Sequence, residues 1–375
     1  MLYNPKDVKV RDSSIELLRI ISMIMIVFHH FAVHGGFEWK ESYTGISRFW
    51  HNFITMGGKI GVNVFILISG YYLINSKANS VDIKRVIKFW GQVFFYSVII
   101  FTVFGALGVV DVGAKSIIKA CFPITFLQWG FASTYFVLYL LHPFLNKFLH
   151  SMDKGMYQKF IILIVVCRSI IPTITTVLFE TNLLLWFIIL YSIAGYIRLY
   201  VSNNEHSVKY YVIFLIFCSI VTYYSTIVYI ILGSRWDFFA SNVTYFYGEE
   251  KITTLLISVS LLMIFVTLKM KYNKWINIIA SATFGVFLIH DNNIIRPLLW
   301  GKLFNNARYQ ESALIIPYSI MAVAVVYIVC TLIDLLRQQI IEKPVMKIVD
   351  CNLNKITTSL ARIYNVINNF IFGKD

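Results

Sequence analysis

Charge is scarce in this chain. Only 14% of its 375 residues are Asp, Glu, Lys or Arg, against about 25% in an ordinary soluble domain. Hydrophobic residues make up 58%. That shortfall excludes a typical water-soluble fold and points to a chain solvated mostly by lipid. Acidic residues are scarcest: 19 stand against 33 lysines and arginines, for a net charge of +14. The cations sit in short gaps between apolar runs and form no basic face, so no nucleic-acid partner is expected. The five cysteines (Cys121, Cys167, Cys218, Cys330 and Cys351) contain no C-x-x-C pair. No disulfide framework and no metal site is implied, and the thiols are expected to be buried and inert. There is no internal repeat, no low-complexity tract and no linker long enough for a second soluble domain. The first apolar run has no small-residue cleavage site after it and holds Glu16 and Arg19 within it. It is expected to be a retained helix, not a cleaved signal peptide.

What is present is apolar length. A helix needs about 20 apolar residues to cross the hydrocarbon core. Ten stretches qualify, at roughly 15–34, 58–75, 88–110, 131–149, 159–179, 182–200, 209–232, 252–270, 276–299 and 312–336. The second is the shortest and begins among glycines. With the N-terminus in the cytoplasm, 21 of the 33 lysines and arginines fall in inside segments and nine outside. Arg19, Arg168 and Arg296 lie within or at the edges of spans. Cytoplasmic loops favour Lys and Arg. The expectation is therefore an all-α, multi-pass protein of the cell membrane with about ten transmembrane helices and both termini cytoplasmic. Residues 1–345 would form the membrane domain. Residues 346–375 would be a cytoplasmic tail, with an amphipathic helix lying on the inner surface as one reading.

Ionisable side chains inside spans cost about 2.5–3.5 kcal/mol each on insertion scales, which marks them as functional candidates. Arg19 and His30 are eleven residues apart in the first helix. That spacing leaves them about 20° from perfect alignment and about 16 Å apart along the axis. Met23 and Ile26 lie between them on the same stripe. Arg19 suits an anionic donor, and His30 suits proton transfer near neutral pH. The alternative has Arg19 snorkelling and His30 as a packing residue. His29 points about 100° away, as a packing or supporting residue. Arg168, near the middle of the fifth span, is expected to face a polar cavity or a carboxylate. His142-Pro143 marks a bend. His290, Asp291 and Arg296 fall in the outer half of the ninth span, at the depth of His30. The run Gly57-Gly58-Lys59-Ile60-Gly61 lacks phosphate-loop spacing, and on its own reads as close helix packing. Lys84-Arg85-Val86-Ile87-Lys88 alone reads as a topology signal.

Together these segments resemble the membrane acyltransferase-3 family. Leu18-Arg19 with His30 is similar to that family's L-R-x10-H. Gly61-Val62-Asn63-Val64-Phe65, running to Ser69-Gly70-Tyr71, is similar to G-V-D-L-F-F-x-x-S-G-F. Arg85-Val86-Ile87-Lys88 resembles R-x-x-R, Phe284 to His290 resembles F-G-[IV]-Y-L-I-H, and Ile341-Glu342-Lys343-Pro344 resembles I-E-K-P. Thr134-Tyr135-Phe136 stands where W-Y-F is common. The resemblance spans about residues 12–345. Two departures stand out. Asn63 replaces an acidic residue, and Lys88 replaces an arginine, keeping a charge but losing bidentate phosphate binding.

The resemblance implies an enzyme that takes an acyl group, usually acetyl, from cytoplasmic acetyl-CoA. The group passes to a hydroxyl of a surface glycan or lipid-linked sugar. Phe287 to Asn292 and Trp186 to Tyr196 look most like the branch that O-acetylates capsular or exopolysaccharide. No permanently bound cofactor is implied, only acetyl-CoA as donor substrate. Arg19, Arg85 and Lys88 would hold the coenzyme phosphates, with the acyl arm running outward along the first helix. His30 would act as general base or brief acyl acceptor. Arg168 and His290 would orient groups or stabilise the oxyanion. The rival reading is a transporter or flippase of a lipid-linked sugar, which should show an inverted repeat and paired broken helices. Neither is visible.

Overall fold

Because the interior of a bilayer offers no partners for backbone groups, a chain this apolar must satisfy them within helices. The computed structural model describes residues 12–76, 81–175, 177, 182–201, 207–268 and 270–372, and no strand occurs among them. The expected cations Lys6, Lys9, Arg11, Lys77, Lys269 and Lys374 lie outside the described residues. The long elements are α1 (Ser13–Val33), α2 (Ile46–Leu73), α3 (Ile83–Ala106), the short α4 (Ala114–Cys121) and α5 (Gly130–His150). Next come α6 (Lys154–Thr175), α7 (Leu183–Tyr200), α8 (Val208–Gly233), α9 (Ile252–Thr267), α10 (Lys274–Ser281) and α11 (Thr283–His290). The chain closes with α12 (Ile315–Arg337) and α13 (Lys343–Phe372). Short polar residues start several of them. The side chains of Asp12, Asp153 and Asn182 accept from the backbone N–H groups of Ser14, Met156 and Leu184 at 2.8–3.0 Å, covering donors that a helix start leaves open.

Eight helices among the described residues are long and apolar enough to cross a membrane. The protein is all-α and polytopic. Two of the ten expected spans differ from these eight. α5 has the length, 21 residues, but carries His142, Pro143, Asn146, Lys147 and His150 in its second half. The expected span 276–299 is instead α10 and α11, two eight-residue helices joined at Ala282. The second span begins earlier than expected, at Ile46. Arg48, in its first turn, donates to the carbonyls of Lys40, Glu41 and Tyr43 at 2.9–3.0 Å and folds the preceding loop against it. Lys59 therefore lies inside a helix, paired with Glu249 at 2.9 Å, and not in an outer loop.

α1 and α2 form the centre of the bundle. A β-carbon on Gly58 would overlap the His29 ring, and one on Gly61 would sit 2.7 Å from the Ser22 carbonyl. The glycines thus let two helices approach closely, as the packing reading expected. Two apolar clusters flank this pair. One gathers α2, α5, α7 and α9, and the other α1, α3, α11 and α12. Cys218 and Cys330 are buried, Cys121 and Cys167 half-buried and Cys351 exposed, and none is in a disulfide.

Candidate functional site

The end of α1 presents a histidine on successive turns. His30 and His34 are four residues apart, one turn of helix, and their rings lie 5.3 Å apart. α11 meets them with its own C-terminal residue. His30 Nδ1 is 2.8 Å from His290 Nε2. His290 is fully buried, and its Nδ1 lies 2.6 Å from the Val286 carbonyl.

These two bonds fix the protons. A carbonyl has none to give, so His290 Nδ1 carries the hydrogen. With both rings neutral, His290 Nε2 is then a bare acceptor, and His30 Nδ1 must donate to it. The second nitrogen of His30, Nε2, is left unprotonated. The pair therefore delivers a base, with its lone pair aimed by a neighbour that is itself anchored to backbone.

A carboxylate lies next to this pair. Asp291 Oδ1 is 3.7 Å from His30 Nδ1 and 3.9 Å from His34 Nε2. Arg296 Nη1 donates to Asp291 Oδ1 at 3.2 Å and lies 3.4 Å from His34 Nε2. Asp291 can stabilise an imidazolium at His30, while Arg296 holds it in place. His30, His34 and Asp291 offer ligand atoms within 4.8 Å of one another. The Arg296 guanidinium already occupies that space with positive charge, which argues against a metal there.

The stripe from Arg19 to His30 exists, but it is filled. Met23 and Ile26 are 2% and 4% exposed and pack in the same cluster as Val286, Phe287 and Leu288. Both side chains are covered by protein, Ile26 lying against Gly61 of α2. An aromatic file runs beside this stripe. His30 neighbours Phe287 at 6.4 Å, Phe287 stacks with Phe284 at 6.3 Å, and Phe284 stacks with Phe89 at 4.8 Å. Tyr135 lies 5.6 Å from Phe89. Phe89 is next in sequence to Lys88, so the file links the cationic start of α3 to His30. Sequence spacing gave no hint of it, since its members come from three helices.

The three expected phosphate-binding cations each have an acidic neighbour. Arg19 Nε is 3.8 Å from Glu16, Arg85 Nε is 3.2 Å from Asp82, and Lys88 Nζ is 2.6 Å from Glu342. Arg85 is the most exposed, at 65% of its side chain. Glu342 also accepts from Arg337 at 2.8 Å, and Arg337 donates to Asp334 at 2.7 Å. Asp334 is fully buried and accepts in addition from Gln92, Tyr96 and Gln338. Lys88 thus belongs to a charge knot joining α3 to α12.

Arg168 is buried within a π turn, Val166–Ile170, inside α6. The next residue, Ser169, donates to the Glu250 carbonyl at 2.6 Å, and Lys251 donates to the Pro172 carbonyl at 2.8 Å. This wall faces the Glu249–Lys251 turn, whose Glu249 pairs with Lys59 of α2. The groups around His30 come instead from α1, α11 and the segment after it. Asn63 uses both ends of its amide: Nδ2 donates to the Glu249 carbonyl at 2.8 Å, and Oδ1 accepts from Trp186 at 2.9 Å. A carboxylate could not make the first bond, which explains how an amide serves here in place of an acid.

Residues 12–334 match the acyltransferase domain family, acyltransferase-3. The chain belongs to that family. This acyltransferase matched no curated protein and no solved structure. Its His30–His290 pair lies inside the bundle, with His290 fully buried and His30 half-buried.

Proposed function

We propose that this membrane acyltransferase moves an acetyl group from acetyl-CoA, on the cytoplasmic side, to a sugar hydroxyl of a cell-surface polysaccharide or its lipid-linked precursor. The observation that carries the reading is the His30–His290 pair, which leaves His30 Nε2 as an oriented base. That nitrogen takes the proton of the acceptor hydroxyl as the oxygen attacks the thioester carbonyl. The carbon–sulfur bond then breaks, and the leaving thiolate recovers the proton from His30. Asp291 stabilises the transient imidazolium.

Arg85 is the best placed of the cations for coenzyme phosphates, being exposed at the start of α3. Lys88 would serve by exchanging Glu342 for phosphate, and Arg19 would add charge at the same end. The donor arm would follow the aromatic file from Phe89 to Phe287. Arg168 supports the wall against the Glu249–Lys251 turn in this scheme.

Two measurements test the proposal. Membranes carrying the protein should transfer radiolabel from acetyl-CoA to the glycan, and His30→Ala should abolish transfer with normal insertion. Deletion of the protein should remove O-acetyl signals from the NMR spectrum of the host's surface polysaccharide. Full labelling by the His30→Ala protein would sink the mechanism. Export of unmodified glycan that depends on the protein, with no label transferred, would favour a flippase instead.

A further inference from the structure

The last helix, α13, is the longest element, and among the described residues the apolar face of its C-terminal part has no protein covering it. Its apolar residues keep one face throughout, from Val345, Val349, Leu353 and Ile356 to Ile363 and Phe370. At 100° per residue this face spans about 160° of the helix surface. Where α13 passes the start of α3, Leu353, Leu360 and Tyr364 line a groove with Val81 and Ile83. Past that point the same face is bare: Phe370 is 90% exposed, Val366 69% and Ile371 60%.

Charge on α13 is mostly positive. Lys343, Lys347, Lys355 and Arg362 face a single carboxylate, Asp350, which is already bonded to Lys84 at 2.6 Å. On the helical wheel all four cations fall on the half opposite the apolar arc. Neutral asparagines fill much of the remaining polar face. The helix emerges beside the cationic first turns of α3, with Lys84, Arg85 and Lys88 at its base. An amphipathic helix with a wide apolar face, basic flanks and low overall hydrophobicity is suited to the headgroup boundary of a bilayer. A two-position coiled-coil seam would be narrower and would leave Tyr364, Val366 and Ile371 in water.

We propose that α13 lies in the surface of a leaflet carrying anionic headgroups, its apolar face among the acyl chains and its cations on the lipid phosphates. Each basic side chain near such a surface adds attraction to anionic lipid.

The test uses the full-length protein in nanodiscs, one copy per disc, followed by hydrogen exchange. Amides of residues 358–372 should exchange about tenfold or more slowly in discs containing phosphatidylglycerol than in phosphatidylcholine alone. The triple variant Ile363→Asp, Ile367→Asp, Phe370→Asp should lose that protection, with exchange in α1 to α12 unchanged. Replacing Lys347, Lys355 and Arg362 by Gln should remove the dependence on lipid charge. Equal exchange in the two lipids would overturn the proposal. So would protection that appears only in discs loaded with two copies, since the occupant would then be a second chain.

Discussion

His30 donates its Nδ1 hydrogen to His290 Nε2 across 2.8 Å, a direction set by the Val286 carbonyl behind His290. His290→Ala removes the acceptor and frees the His30 ring to turn. Acyl transfer should fall about 100-fold, within the range typical of a displaced general base. His290→Gln keeps an acceptor oxygen and should recover part of the loss. Initial rates in membranes, normalised to protein level, check both. Equal rates for the Ala and Gln variants would show that the hydrogen bond does not orient His30.

Asp291→Asn should lower turnover about tenfold or more, because the imidazolium formed at His30 loses its nearby carboxylate at 3.7 Å. The effect should appear in kcat and kcat/KM alike, as expected for an interaction made only in the transition state. A rise in KM with unchanged kcat would instead assign Asp291 to substrate binding.

Arg85→Ala should raise the KM for acetyl-CoA about tenfold with little change in kcat, through loss of phosphate binding. Lys88→Ala removes one of two partners of the half-buried Glu342. It should therefore lower thermal stability as well, which Arg85→Ala should not. Melting curves of the detergent-solubilised variants, set beside the kinetics, separate the two roles.

Asn63→Asp restores the acid usual in the family at that position but takes away the donor to the Glu249 carbonyl. The expected outcome is a loss of about 1–3 kcal/mol in stability, the cost of an unsatisfied buried group, with no gain in activity. A more active and equally stable variant would show that the missing charge matters.

How much of this was legible in the sequence depends on how local the signal was. The Arg19–His30 stripe and the depth of His290 followed from helical period alone. That period also places His34 on the face of His30, four residues on. The meeting of His30 with His290, 260 positions away, is set by how α11 packs on α1, and no spacing encodes it. Arg168, expected near the middle of its span, lies in the last third of α6, within a π turn. The contacts beside it, from Ser169 and Pro172 to Glu250 and Lys251, depend on the Glu249–Lys251 turn folding inward, which a charged segment does not announce. The same turn supplies the carboxylate that pairs with Lys59 inside α2. The second half of α5 reads as membrane by length but carries too many polar groups to qualify by composition. The expected span 276–299 breaks at Ala282 and ends at His290, which places the histidine at a helix end and not in mid-span.

Gly285 has no side chain because the Asp334 carboxyl occupies the place where one would begin. That single omission lets α11 settle against α12, and His290 stands five residues further along the same rod. The charge knot at one end of the bundle thereby sets the reach of an imidazole toward the other. Wear at the knot would be read out as slower chemistry, in an enzyme whose reacting groups had not themselves been altered.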